Sequence, residues 1–402
     1  MTTSSFTWLD HVPEDAQRVR EALAAFEDRG MIDPLGFGVV RDAFSELLFP
    51  GTSTVQTRAR YFLFVPWIYR HLDRTGVNPA EGVRRARALE VELIEALRKG
   101  SASHEGIIGR FARGSVSQLP SFVYWGGLRR WGIRRFPGTR RDYVATLAQR
   151  RRAAAADTAT LGAEWHPNLP GEPEGLFEST SLTLTDEEAD FLRDRILNSA
   201  PATYLAVLVR DGDSSQVSDI PWEHPIAVTL QGERARHLHH ARLFAVATWG
   251  ANLRYNAELS RLLEADGGKP LDHDHARTLQ DDWLPEVQEF ERDFRSWNRA
   301  EFWDTVRTSA PTVAGSVVNF VNWWLDLVVS DPGQTMTSAE VASMMTTRES
   351  TLKGARAKLA NRRAREQSPG AQGGAIMAYR WPQVSRIVTD IHEALEAHAQ
   401  PA

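Results

Sequence analysis

The chain has 402 residues, 42% of them hydrophobic and 25% charged, with 47 Lys and Arg against 52 Asp and Glu for a net charge of −5. That profile fits a folded protein with room for two or three domains, and it excludes both large-scale disorder and a globally basic nucleic-acid binder. The absence of cysteine removes disulfides, thiolate catalysis and cysteine-ligated metals, which points to a cytoplasmic protein.

In chain order, the opening tract MTTSSFTWLDHVPEDAQRVREAL has no basic stretch followed by an apolar one, so it does not read as a secretory leader. The first segment of strong character is FPGTSTVQTRARYFLFVPWIYR, residues 49–70. From Tyr61 to Leu72 its apolar residues cover every direction of a helical wheel, which predicts a helix buried on all sides and kinked or divided at Pro66. Arg58 and Arg60 stand at its start. An arginine in such surroundings is either paired with a carboxylate or turned toward an anionic ligand. The first reading takes Asp42 and Glu46, from the preceding DAFSELL segment, as partners. The second takes Thr54, Arg58 and Arg60 as an anion site at a helix N-terminus. The scaffold reading has precedence because the glycine spacing of a phosphate-binding loop is missing.

The segment GGLRRWGIRRFPGTRRDY and the triplet after it set Arg129, Arg130, Arg134, Arg135, Arg140, Arg141, Arg150, Arg151 and Arg152 against one acidic residue, Asp142. Tyr124, Trp125, Trp131 and Phe136 are interleaved with them. Arginine with aromatic rings is the material of sequence-tolerant nucleic-acid contact, and the competing reading is an aromatic core with a solvated arginine rim. A proline- and glycine-rich tract, 162–177 with WHPNLPGEPEG, is predicted to connect an N-terminal helical lobe, 1–161, to a C-terminal mainly helical lobe, 178–402. Capping-box spacing at Ser53/Gln56, Thr185/Glu188 and Thr337/Glu340 supports helices, whereas strand-like alternation is confined to TYLAVLVRDG, 203–212, and more weakly to 181–184 and 225–230. The predicted fold is mainly α: two packed helical lobes with a small strand-containing segment between them.

Further on, Glu233, His237 and His240 have the i, i+4, i+7 spacing of one helix face, and Asp272, His273, Asp274 and His275 form a dense cluster of oxygen and nitrogen ligands. Converging, they would suit Zn²⁺ or Mn²⁺ in a metal-dependent hydrolase or nuclease. The spacing follows no standard zinc-hydrolase pattern, so neither a metal nor any other cofactor is favoured. The apolar run 311–329 approaches the length of a membrane span, but Asn319, Asn322 and Asp326 mark it as a buried helix and no membrane partner is expected. In STLKGARAKLANRRAREQ, helical periodicity puts Lys358, Arg362 and Arg365 on one basic stripe.

The blocks DPLGFGVVRDAFSELLFPGTSTVQTRARYFLFVPWIYRHL, LPSFVYWGGLRRWGIRR and YRWPQVSRIVTDIHEAL, with the basic segment before the last, resemble a bacterial family of about this length known as a domain of unknown function. The resemblance covers most of the chain. It implies a cytoplasmic protein, at times encoded beside helicase or DNA-modification genes, and so a place in an anti-phage or DNA-processing complex; it carries over no catalytic residue. The reading favoured from residues and resemblance together is a non-catalytic binding or scaffold component with DNA or RNA and other bacterial proteins as partners. The alternatives are the metal-dependent hydrolase and a protein-assembly subunit without nucleic-acid contact.

Overall fold

A computed structural model describes residues 33–156, 163–367, 370–371 and 373–399; the leader reading lies outside the described residues. The described chain is mainly helical, and it divides into two compact units. One comprises residues up to Arg41 together with 241–377, the other 42–240 together with 378–402. The tract 162–177, expected as a connector between lobes, falls inside the second unit.

The second unit is built around the helix Tyr61–Arg74, in which every residue from Tyr61 to Tyr69 is buried. It remains one helix through Pro66, with no division there. Burial on all sides explains its composition. Phe62 stacks on Trp131 at 3.9 Å, and Tyr69 joins Trp125, Tyr143 and Trp165 in an aromatic cluster. Indole N–H groups in this core find carbonyls, as buried tryptophans require: Trp131 donates to Pro50 and Trp67 to Pro170. The helix Pro120–Arg130 packs closely because Gly127 has no side chain; a Cβ there would stand 2.3 Å from the Gly51 carbonyl oxygen and 2.8 Å from the Phe62 ring.

The expected strands are absent among the described residues. Thr203 caps the helix Tyr204–Asp211, residues 225–229 form the 3₁₀ turn Pro225–Thr229, and 181–184 pair with no strand. Extended pairing is reduced to an isolated bridge between Arg134 and Trp165, which ties the proline-rich tract to the basic segment. The physical reason is that a short apolar run buried on all sides carries no period, so alternation in TYLAVLVRDG was no guide to strand over helix. Of the three capping boxes, Thr185/Glu188 forms in full at the helix Asp186–Ser199. Ser338, not Thr337, caps Ala339–Lys353, and Ser53–Gln56 closes a turn ahead of the buried helix.

In the first unit, the part of helix Glu233–Ala265 from residue 241 is flanked by Trp283 and Trp324, whose N–H groups donate to the carbonyls of Val246 and Ala247 at 2.9 and 2.7 Å. Tyr255 donates to Glu349 on Ala339–Lys353, and Glu349 also accepts from the Leu359 amide. The apolar run 311–329 forms the helix Gly315–Ser330, with Asn322 accepting from the Trp303 indole. No described helix is long and apolar enough to cross a membrane.

Candidate functional site

Arg58 and Arg60 are held from other elements of the second unit. Arg60 is buried and bidentate to Glu188 at 2.9 and 2.7 Å, and it donates to the Ser181 carbonyl. Arg58 is bidentate to the buried Asp390 on the C-terminal helix Trp381–Ala399, and that carboxylate also accepts from the Ala59 amide. The partners are therefore not Asp42 and Glu46. Glu46 instead meets Arg130 at 3.0 Å and Arg380 at 3.5 Å. A cleft beside Arg58 is lined by Asp186, Asp390 and Glu393 together with His398.

The segment 129–152 separates into internal and outward arginines. Arg134 is buried, its guanidinium over the Trp125 ring at 4.6 Å and bonded to the carbonyls of Trp125, Phe136 and Gly138; burial and the charge of Arg129 lower its pKa to about 10. Arg150 pairs with Asp73 and Glu164, and Arg151 donates to the Val77 carbonyl. Arg130 is exposed but meets Glu46. Arg129, Arg135, Arg141 and Arg152 face solvent, and Trp125 and Trp131, expected as stacking surfaces, are core.

Stacking material does reach the surface, at rings that the sequence did not single out. Phe122 is 51% exposed at the start of Pro120–Arg130, and the guanidinium of Arg140 lies over it at 5.2 Å. Arg140 is positioned by the Ser121 hydroxyl, which in turn donates to the buried Glu90. Phe111 is 84% exposed, with Arg110 over its ring at 4.5 Å. Arg113, two residues on, pairs with Glu95. Glu90 and Glu95 belong to one helix, Pro79–Gly100, and lie about 7.5 Å apart along its axis. Five residues also place Glu90 and Glu95 about 140° apart around that helix, so Arg140 and Arg113 meet different sides of it. No local signal sets the two phenylalanines apart, since Ile107 and Ile108 precede Phe111, and Leu119 and Trp125 flank Phe122, at helical spacing.

The sequence profile of a family described as a family of unknown function, DUF6361, matches residues 3–395. The chain belongs to DUF6361. No curated protein and no solved structure matches it.

In this DUF6361 chain the C-terminal basic segment does not form the expected stripe. Gly354, at φ +53, ends the helix Ala339–Lys353, and Lys358 lies in a turn, buried, with its ammonium on the Gly370 carbonyl. Arg365 is buried against Asp266 at 2.7 Å, and only Arg362, on Arg362–Gln367, is exposed, beside Glu366. Glu233, His237 and His240 share the first turns of Glu233–Ala265, in the second unit, whereas Asp272, His273, Asp274 and His275 are in the first. His240 is buried, and burial followed by the charges of His239, His237 and Arg236 lowers its pKa to about 4. Within the second cluster, Asp272 is taken by Lys269 and Asp274 caps Arg277. Among the described residues no group of three or more His, Asp or Glu side chains is placed to hold a metal ion.

Proposed function

We propose that this DUF6361 protein is a non-catalytic binding component of a cytoplasmic bacterial complex that contacts single-stranded nucleic acid through the exposed arginines and phenylalanines of its second unit. The observation that carries this reading is the pair of solvent-facing rings, Phe111 and Phe122, each under an arginine guanidinium. A large apolar ring left in water does nothing for folding, and a ring already stacked with a cation presents a flat face and positive charge together. Bases stack on such faces whatever their sequence, while phosphates pair with neighbouring arginines. Arg129, Arg135 and Arg141 supply that second requirement.

Fluorescence anisotropy with labelled single- and double-stranded DNA and RNA at low salt tests it. Single strands should bind more tightly than duplexes, and Phe111→Ala with Phe122→Ala should weaken binding by about tenfold or more, each lost stack contributing ~1–3 kcal/mol. Failure of every oligonucleotide to bind below roughly 10⁻⁴ M, the level of ordinary non-specific association, would remove the nucleic-acid reading and leave the protein-assembly subunit in its place.

A further inference from the structure

The first unit holds a cleft of about 990 Å³ between the segment around Leu271 and the described residues Gly370, Ala371, Gly374 and Ala375. Its charges are already matched. Lys269 meets Asp272 at 2.6 Å, Arg362 meets Glu366 at 2.8 Å and Asp266 meets Arg365 at 2.7 Å, so an ionic ligand would find no unbalanced partner. Between these pairs the walls are apolar, with Leu263, Leu271 and Ala375.

His275 lines the same cleft and is 4% exposed. Its Nδ1 is buried with no hydrogen-bond partner among the described residues, which is unusual for a buried ring nitrogen. The other nitrogen, Nε2, stands 3.1 Å from where a Cβ on Gly374 would lie, so a side chain at that position would press on this edge of the ring. Burial, and then the charge of His273, keep the imidazole below its ordinary pKa. At neutral pH it is therefore uncharged, with one nitrogen donating and the other accepting.

We propose that this cleft binds an uncharged nitrogen heterocycle of nucleoside size, its ring against the apolar walls and its polar edge on His275. Such a ring matches the uncharged donor and acceptor of the imidazole and needs no ion pair. The site is independent of the nucleic-acid face of the second unit.

Isothermal titration of the full chain with adenosine, guanosine, cytidine and uridine, and separately with nicotinamide, tests the proposal and distinguishes a nucleobase from a cofactor ring. At least one should bind with Kd below about 1 mM, and His275→Ala should weaken it by about tenfold, a loss of ~1.4 kcal/mol. Leu271→Trp, on a half-exposed wall, should weaken binding by about tenfold by projecting into the apolar part of the cleft while leaving the melting temperature within a few degrees of the parent, and it decides the matter alone if His275→Ala does not fold. No binding by any of the five compounds at about 5 mM, weaker than ~3 kcal/mol of affinity, would overturn the proposal, as would an affinity unchanged by Leu271→Trp.

Discussion

Removing the Arg60 guanidinium would strand a buried carboxylate, because Glu188 accepts two of its three hydrogen bonds and also closes the capping box at Thr185. Arg60→Ala should cost ~3–5 kcal/mol by urea denaturation, whereas Arg60→Met with Glu188→Gln should recover much of that by removing the unpaired charge. Glu90 sets a second test at this scale. Its carboxyl is buried, accepts from the Ser121 amide and hydroxyl, and is pushed up to about 7, chiefly by desolvation. A folded-state value above the unfolded one stabilises fully below the unfolded pKa, and that contribution is lost as pH rises through about 7. From about pH 5 to about pH 8, Glu90→Gln should therefore gain on the parent by up to ~3 kcal/mol, measured as the difference in unfolding free energy at each pH. What was legible here was environment: arginines beside Tyr61 to Leu72 had to be satisfied. Their partners were not, since Asp390 lies 332 positions from Arg58 and no local pattern connects them. The burial of Arg134 was equally invisible, because three of its partners are backbone carbonyls.

Among the elements, the helix Pro120–Arg130 owes its position to close backbone approach at Gly127. Gly127→Ala should destabilise the protein by ~1–3 kcal/mol, read as a lowered midpoint in thermal or denaturant unfolding, since the Gly51 carbonyl cannot move aside as a flexible side chain would. Helices with caps and strong apolar content were readable: Thr185/Glu188 forms as its spacing requires, and the 49–70 segment contains a helix buried on all sides. The stripe expected of Lys358, Arg362 and Arg365 does not form, for a local reason. Helical periodicity was extended through Gly354, whose positive φ ends the helix and turns Lys358 and Arg365 inward. The strand-like segment at 203–212 failed differently, through an apolar run too short and too buried to show its period.

For the molecule as a whole, the second unit gathers residues 42–240 and 378–402, a discontinuous set that no shift in composition announces. The C-terminal helix belongs to it through Asp390 with Arg58, and through the Trp381 indole on the Ser218 carbonyl. Nine arginines against one acid between 129 and 152 made this unit look uniformly basic, but pairing with Glu46, Asp73 and Glu164 spends part of that charge internally. The proposed face is correspondingly smaller than the sequence suggests, and its phenylalanines come from outside the basic segment. The salt dependence of single-strand binding measures this face most directly. With Arg129, Arg135 and Arg141 each on a phosphate, the logarithm of affinity should fall with the logarithm of salt at a slope of about 2, near 0.7 per contact, and replacing the three by glutamine should flatten it toward zero. A slope unchanged by that triple substitution, or no binding to lose, would contradict the account.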